Sequence, residues 1–188
     1  GIIMHVQYSH NFKKQLVMIN AGEYYVSNEK EMIGTILGSC VAICLHDEKN
    51  GIAGMNHFML PGRVLIGNYK LSNSEKYGIN AIDTLLTKME EKGAERKNIR
   101  AKIFGGGAVM EAMKNSRLRI PFDNVSHAFM MIEMEDIPII ESDTGGRYTR
   151  KIYMDVKSGK VYQKKSTTLT ELQKLASFEM DSKAIITV

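Results

Sequence analysis

The sequence predicts a single α/β domain in which several short strands form a mixed sheet with a few helices between them. Short apolar segments bounded by turn residues indicate strands, whereas one longer segment repeats its apolar residues at helical spacing. The chain has 188 residues, of which 44% are hydrophobic and 24% charged. This length suits one hydrophobic core, and this composition excludes a disordered or collagen-like protein.

The first 60 residues are predicted to consist mainly of strands. The apolar segments at 16–19 and 23–26 lie on either side of Asn20-Ala21-Gly22, which indicates two short strands around a turn. A strand-like pattern then extends from Thr35 to Leu60 and is interrupted by turn residues at 47–51. This second pattern predicts a β-hairpin, followed by an irregular loop from Pro61 to Asn73.

The most regular helical pattern begins near Ser72, which with Glu75 has the spacing of an N-terminal capping box. Gly93 is predicted to end this helix. The apolar residues that repeat at helical spacing are Ile79, Ile82, Leu85, Leu86 and Met89.

Strands and helices alternate in the next part of the chain. A predicted strand at 100–104 runs into three glycines at 105–107 and a short helix over 108–113. A second helix is predicted from about Asp123, and a strand follows at 137–140. The apolar residues that share one face of this helix are Val125, Phe129 and Ile132.

The chain closes with a predicted hairpin and a helical tail. Strands at 150–156 and 160–165 are joined by Lys157-Ser158-Gly159, a hairpin signal, and 168–180 is predicted to form a peripheral helix. We therefore divide the chain into an N-terminal extension at 1–13, one domain at 14–166 and a partly helical C-terminal extension at 167–188. Residues 1–3, ahead of Met4, are a candidate cloning remnant.

Charge and hydropathy limit the partners that the chain can have. No apolar run exceeds five residues, far below the about 20 that a membrane-spanning helix needs, and no signal-peptide pattern is present. We expect a cytoplasmic protein without membrane insertion. The net charge of +4 does not favour nucleic acid as a partner.

Basic residues are concentrated in the last predicted hairpin. Seven basic residues and one acid lie between Arg147 and Lys165. This pattern is typical of a strand pair that faces an acidic partner, and equally of an edge hairpin whose lysines are solvated. The sequence leaves both interpretations open.

The first hairpin brings a thiol towards an imidazole. A four-residue turn over 47–50, closed by His46 and Gly51, places Cys40 directly opposite His57, with Cβ atoms about 5 Å apart on one face. An adjacent histidine can activate a cysteine and later protonate a leaving group. The pattern therefore indicates a cysteine hydrolase, although most cysteines in apolar strands are core residues.

The residues beside this pair have predicted supporting functions. Gly38 permits a tight turn, and the backbone N–H groups of Ser39 and Cys40 are candidate donors to an oxyanion. Asn56 is expected to point to the opposite face from His57 and to be a supporting group.

Two other kinds of site are less favoured. Zinc could use Cys40, Cys44, His46 and His57, but ligands spread over about 20 Å of strand cannot converge on one ion, so no metal is predicted. Cys44 is expected to be a core residue, too far from Cys40 for a disulfide bond. The three glycines lack the lysine of a phosphate-binding loop, which favours close backbone packing beside a site, and Asp143 is interpreted as a turn residue.

Five segments taken together resemble the CheD family of chemoreceptor glutamine deamidases. They span roughly residues 20 to 165, and the GSC and NHFMLP motifs are specific to that family. The segments are TILGSCVAICLHD, GIAGMNHFMLP, EKYGINAI, AKIFGGGAVM and SDTGGRYTRKIYMDVKSGKV. The resemblance implies an α/β fold similar to the catalytic domain of cytotoxic necrotizing factor toxins, with Cys40 and His57 catalytic and Thr35 as the third member of a triad.

The resemblance also implies a function. It predicts hydrolysis of chemoreceptor glutamine side chains to glutamate through a Cys-His thioester mechanism, without a cofactor, in bacterial chemotaxis. The implied partners are the cytoplasmic helices of methyl-accepting chemotaxis proteins and a CheC-type phosphatase. A non-catalytic module of the same fold that docks these partners is the alternative. Candidate substrate-binding residues are Asn56, Gly105, Gly106 and Asn124.

Overall fold

Two β-sheets pack face to face, and two helices cover the outer face of one of them. The computed structural model describes residues 5–59, 73–109, 120–167 and 186–187. The predicted α/β class is confirmed, with the strands divided between two sheets. The expected loop at 61–73 with Ser72, much of the expected helix at 108–113 and the expected tail helix at 168–180 lie outside the described residues.

Sheet A has six strands in the spatial order β1, β2, β4, β9, β10, β11. Only β2 and β4 pair in parallel, and the other neighbours are antiparallel. The strands are β1 (His5–Ser9), β2 (Lys14–Met18), β4 (Glu31–Leu37), β9 (Thr149–Asp155), β10 (Val161–Ser166) and β11 (Ile186–Thr187).

Sheet B has five strands in the order β3, β6, β5, β7, β8. Its β7 and β8 are parallel, and its other pairs are antiparallel. The strands are β3 (Tyr24–Ser27), β5 (Val41–Asp47), β6 (Ile52–Phe58), β7 (Ile99–Gly105) and β8 (Ile139–Thr144). The strand expected at 137–140 thus begins two residues later and is longer.

The helices bury their apolar faces against sheet B. Helix α1 (Asn73–Glu91) ends where Gly93 adopts a positive φ of 102° and the N–H of Ala94 donates to the Met89 carbonyl, as the sequence predicted. A 3₁₀ turn (Arg96–Asn98) follows. Helix α2 (Ile120–Met134) begins three residues before the predicted start at Asp123. No helix among the described residues is long and apolar enough to cross a membrane.

Sheet B is buried on both faces, which explains the unbroken apolar sequence of β5. Ile43 and Leu45 face the helices, whereas Ala42 and Cys44 face sheet A. Successive side chains of a strand point to opposite faces, so a central strand between two packed layers needs apolar residues at every position. We call the layer between sheets A and B the inter-sheet layer.

The predicted long strand from Thr35 is wrong, because the chain changes sheet within it. Strand β4 ends at Leu37 in sheet A, and β5 begins at Val41 in sheet B. The segment 38–40 therefore crosses from one sheet to the other. The predicted turn at 20–22 makes a similar crossing between β2 and β3.

The β5–β6 hairpin is confirmed, but its predicted register is wrong. The turn occupies 48–51 instead of 47–50, because the Asp47 carboxylate accepts from the N–H of Asn50 and the Asp47 carbonyl accepts from Gly51, whose φ is +63°. Asp47 therefore remains in the strand opposite Ile52. The register moves by two residues, so His57 lies opposite Ala42 instead of Cys40 and keeps its predicted face.

The β9–β10 hairpin is confirmed, and it is not at the edge of its sheet. Strand β9 lies between β4 and β10, and β10 also pairs with β11. Arg150 and Lys151 are 1% and 3% exposed. The interpretation as solvated side chains is therefore wrong for Arg150 and Lys151, whereas Lys157, Lys160 and Lys165 of the same hairpin are exposed.

Candidate active site

Thr35 and His57 meet in the inter-sheet layer, each supplied by a different sheet. Thr35 alternates in β4 with Ile33 and Leu37, which both face sheet B. His57 lies in β6 opposite Ala42, on the face towards sheet A. The Thr35 Oγ1 and His57 Nδ1 atoms are 2.7 Å apart, and both side chains are buried.

The crossing at 19–23 holds both residues in place. The Thr35 hydroxyl donates to the Ile19 carbonyl at 2.8 Å. The backbone N–H of His57 donates to the Glu23 carbonyl, and the His57 carbonyl accepts from Gly22. The same segment thus fixes the hydroxyl of sheet A and the backbone of the histidine in sheet B.

The hydrogen bonds of the Thr35 hydroxyl determine which tautomer of His57 is present. A threonine hydroxyl carries one hydrogen, and Thr35 uses it for the Ile19 carbonyl. The contact with His57 is then a hydrogen bond only if Nδ1–H donates to Thr35 Oγ1. This assignment leaves Nε2 unprotonated, with a lone pair that can accept a proton.

Burial keeps both reactive groups neutral at rest. Desolvation lowers the pKa of His57 to about 4, since the charged imidazolium loses water in the inter-sheet layer. Burial also raises the pKa of the Cys40 thiol. A neutral thiol and a neutral imidazole are therefore the resting forms near pH 7.

Cys40 lies at the end of the crossing segment 38–40 and is half-buried. Its side chain packs on the inter-sheet layer, which also contains Ala42, the residue opposite His57. Cys40 lies one residue before β5 begins at Val41, and continuing the strand geometry back to Cys40 gives a position diagonal to His57, for which Cα atoms are about 7–8 Å apart. The thiol and the imidazole share one face of sheet B at the same end of the sandwich.

Three donors hold the carbonyl groups of the crossing segment. Gly107 N–H donates to Gly38 at 2.9 Å, and Gly106 N–H donates to Cys40 at 2.8 Å. The Asn124 side chain, fully buried in α2, donates from Nδ2 to the Ser39 carbonyl at 2.9 Å. The backbone of the crossing segment 38–40 is therefore fixed from the glycines and from α2.

Peptide planarity then sets the direction of two N–H groups. In a trans peptide unit, the C=O and N–H groups point in opposite directions. Because the Gly38 carbonyl points to Gly107, the N–H of Ser39 points away from Gly107, and because the Ser39 carbonyl points to Asn124, the N–H of Cys40 points away from Asn124. Among the described residues, neither N–H has an acceptor. Both remain available to an oxyanion.

The glycines at 105–107 pack closely against the crossing segment 38–40. Gly105 and Gly106 have positive φ values of 116° and 69°. A Cβ atom on Gly105 would lie 2.2 Å from the Cys40 carbonyl oxygen, and one on Gly106 would lie 2.2 Å from the Val125 side chain. Side chains at either position would push β7 away from Cys40 or from α2.

Replacing Gly105 with alanine is expected to lower the free energy of unfolding by at least about 2 kcal/mol, from the left-handed backbone and the Cys40 contact together. Urea unfolding measures the loss. Gly22→Ala is the matched control, because Gly22 has φ +82° and no atom within 4 Å of its added Cβ. Equal losses in the two variants would show that the contact with Cys40 has no energetic effect.

Asn56 lies on the opposite face from the reactive pair. Its side-chain Oδ1 accepts from the Ile43 N–H at 3.1 Å, and its Nδ2 has no hydrogen-bond partner among the described residues. Asn56 therefore does not meet Cys40 or His57. The backbone of the crossing segment 38–40 is contacted by Gly105, Gly106 and Asn124, on the side away from its candidate oxyanion donors.

The other candidate ligands do not gather around the thiol. Cys44 is fully buried, and burial raises its pKa to about 12. His46 Nε2 lies 3.0 Å from the Val156 carbonyl near the far end of β5. Within the described part of the chain, no three histidine, cysteine or acidic side chains are arranged to hold a metal ion. Both cysteines are free thiols.

The sequence interpretation missed an ion pair between a buried arginine and a partly buried aspartate behind the glycines. Arg150 donates to Asp143 at 2.8 Å, and both lie in the inter-sheet layer. Burial alone would raise the pKa of Asp143, but hydrogen bonds from Lys165, Arg150 and Gln163 outweigh it and lower the pKa to about 2. A signal was present: Arg150 alternates with Ile152 and Met154 on the apolar face of its strand.

Comparison with known proteins gives a consistent family. The model of the family described as CheD chemotactic sensory transduction matches residues 59–165. A Chromobacterium violaceum protein named probable chemoreceptor glutamine deamidase CheD 2 is 37% identical over 166 residues, covering 88% of this chain and 81% of that protein. An aligned stretch of that length includes Thr35, Cys40 and His57 wherever it begins.

A second relative and one solved structure extend the comparison. Probable chemoreceptor glutamine deamidase CheD 1 of Dechloromonas aromatica is 39% identical, covering 84% of this chain and 77% of that protein. The crystal structure of Bacillus licheniformis hypothetical protein YfiH has a TM-score of 0.41 and 14% identity, covering 64% of this chain and 49% of that one. Because the family model matches more than half of the chain and these two relatives match most of their own length, the chain belongs to the CheD family.

Proposed function

We propose that this chain is a chemoreceptor glutamine deamidase that acts in the cytoplasm during bacterial chemotaxis, as the names of its relatives suggest. The single observation that carries this proposal is the hydrogen bond between Thr35 and His57, on the same face and at the same end of the sandwich as the Cys40 thiol. A buried hydroxyl that orients a histidine beside a cysteine is an arrangement that supports acyl transfer.

The first step forms a tetrahedral intermediate. His57 Nε2 takes the thiol proton of Cys40 while Sγ attacks the carboxamide carbon of the substrate glutamine. The N–H groups of Ser39 and Cys40 stabilise the negative oxygen that develops. Substrate binding shortens the diagonal separation between the thiol and the imidazole, since catalytic contacts often tighten only in the complex.

The next two steps form the thioester and then hydrolyse it. The imidazolium donates its new proton to the amide nitrogen, the C–N bond breaks and ammonia leaves. His57 then takes a proton from water, the hydroxide oxygen attacks the thioester carbon and the C–S bond breaks. The proton returns to Cys40 Sγ, and the ammonia takes up the proton of the new carboxylic acid, so the net reaction converts one glutamine and one water into one glutamate and one ammonium ion.

A direct assay tests the proposal. The purified protein is incubated with a chemoreceptor cytoplasmic fragment, and mass spectrometry follows the mass increase of amide-to-acid conversion at individual glutamines. We expect conversion at a small set of sites, with none in a parallel sample lacking the protein. An unchanged fragment after prolonged incubation with folded protein would contradict the proposal.

Thr35→Val is expected to lower kcat by about 10²-fold, because it removes the acceptor that fixes the tautomer of His57. Valine keeps the shape of the side chain, so the packing between Ile33 and Leu37 is retained. Thr35→Ser restores the hydroxyl and should recover most of the activity. Full turnover by the valine variant would exclude an orienting role for Thr35.

A binding module of the same fold is the second candidate function. The raised pKa of the Cys40 thiol favours it, because the resting thiol is protonated and weakly nucleophilic. Such a module would dock chemoreceptor helices or a CheC-type phosphatase without turnover. Normal chemotaxis in cells that carry only the Cys40→Ala protein would support this alternative over the enzyme.

A further inference from the structure

Arg150 is a charged residue that the proposed chemistry does not use. It is 1% exposed and is among the largest fully buried side chains of the protein. A buried guanidinium is costly unless its charge is paired and its N–H groups are hydrogen-bonded. Its position in the interior therefore calls for specific contacts.

Those contacts are a carboxylate and two glycine carbonyls. The terminal Nη2 donates to Asp143 Oδ1 at 2.8 Å and to the Gly145 carbonyl at 2.9 Å, and Nη1 donates to the Gly105 carbonyl at 3.2 Å. The second oxygen of Asp143 accepts from Gln163 and Lys165. The positive charge is thus compensated. The planar guanidinium connects the loop that contains Gly105 with the loop that contains Gly145.

One of these carbonyls connects Arg150 to the nucleophile. The C=O of Gly105 and the N–H of Gly106 belong to the same planar peptide unit and point in opposite directions. Arg150 holds the C=O end of this unit, and the N–H end donates to the Cys40 carbonyl at 2.8 Å. A single peptide unit therefore lies between the guanidinium and the backbone of Cys40.

The surroundings leave this peptide unit little freedom. Strand β7 pairs Gly105 with Val41, the residue after Cys40. The Gly105 carbonyl also accepts from the Gly145 N–H at 2.9 Å, and Gly106 lies against Val125 of α2. A cationic donor at one end of a hydrogen-bonded chain strengthens the donor at the other end.

We propose that Arg150 is a positioning residue for Cys40, which it orients through the Gly105–Gly106 peptide unit. This inference rests on the proposed function for its catalytic consequence only. Fixing the Cys40 carbonyl fixes the adjoining backbone, and with it the direction of the thiol and of the oxyanion donors. Arg150 touches neither the substrate nor the reacting atoms.

Arg150→Lys tests this role, because lysine keeps the charge but cannot hold Asp143 and the Gly105 carbonyl with one planar fork. We expect the Gly106 amide hydrogen to exchange at least about tenfold faster relative to the central Leu45 amide, which reports global opening. We also expect kcat to fall about tenfold with KM within about twofold. A purely structural role would leave the ratio of Gly106 to Leu45 exchange unchanged, and it would leave kcat per folded molecule unchanged.

Two further variants complete the test. Asp143→Asn loosens Arg150 without removing it, and Asp143 is only partly buried, so this variant should fold and show smaller changes in the same direction. Lys14→Gln is the matched control, because it breaks another sheet A ion pair, with Asp155. It should change neither Gly106 exchange nor kcat.

Wild-type Gly106 exchange in the folded Arg150→Lys protein would overturn the proposal. If Arg150→Lys does not fold, wild-type exchange in Asp143→Asn would overturn it instead. The exchange measurement needs no substrate. It therefore tests the positioning role even if the wild-type protein proves unable to deamidate a receptor fragment, which would contradict the proposed function alone.

Discussion

Replacing Cys40 with alanine is expected to lower receptor-glutamine deamidation by about 10⁴-fold or more, because no thioester can form without the sulfur. The side chain is half-buried at the end of sheet B and supports little of the core, so folding should be retained. Mass spectrometry of the receptor fragment measures the rate, and circular dichroism checks the fold. Turnover close to wild type would exclude Cys40 as the nucleophile.

The second cysteine provides the control for this experiment. Cys44→Ser should keep most of the activity, because Cys44 lies fully buried opposite Met55, away from the crossing segment. Burial raises the pKa of Cys44 to about 12, so a small alkylating agent should modify Cys40 alone in the native protein. Loss of activity in Cys44→Ser without loss of fold would contradict this assignment.

Lowering the pH from 6.5 to 4 is expected to reduce the free energy of unfolding by about 3 kcal/mol through His57 alone. Burial lowers the pKa of His57 to about 4 in the folded protein, against 6.5 for the exposed side chain. Between these values the unfolded chain binds more protons than the folded one, so stability is lost as the pH falls. Above about pH 7.5 the histidine is unprotonated in both states, so the contribution of His57 no longer depends on pH.

Urea unfolding at several pH values measures this effect, and His57→Gln should remove it. Burial also lowers the pKa of His46, so His46→Gln is needed to separate the two histidines. The measurements should stay above pH 4, because protonation of Asp143, Asp47 and Asp155, whose pKa values are lowered, costs stability below that range. An unchanged pH dependence in His57→Gln would contradict a buried neutral histidine.

The local pattern of apolar and turn residues predicted the first helix and both hairpins correctly. The helical repeat before Gly93 and the two hairpins are confirmed, since spacing and turn residues determine them locally. The division of the strands between two sheets was not predictable in this way. An alternating apolar pattern looks the same whether the strand continues or crosses to a second layer at Gly38.

The candidate site was predictable in part for the same reason. Side chains alternate between the two faces of a strand, so a register error of two residues left Cys40 and His57 on the same predicted face. The contact between Thr35 and His57 joins two sheets, and no spacing in the sequence encodes it. Arg150 was grouped with surface lysines because charge density along the chain does not reveal which side chains face the interior.

The division of the site between two sheets affects when activity can appear during synthesis. Thr35, Cys40 and His57 all precede residue 60, but β4 acquires its neighbour β9 only after residues 149–155 have been made. A nascent chain can therefore contain all three residues of the proposed site while the thiol and the histidine lack their final support. The proposed reactivity would then arise late, when the segment from Thr149 onwards closes sheet A around a site that was encoded first.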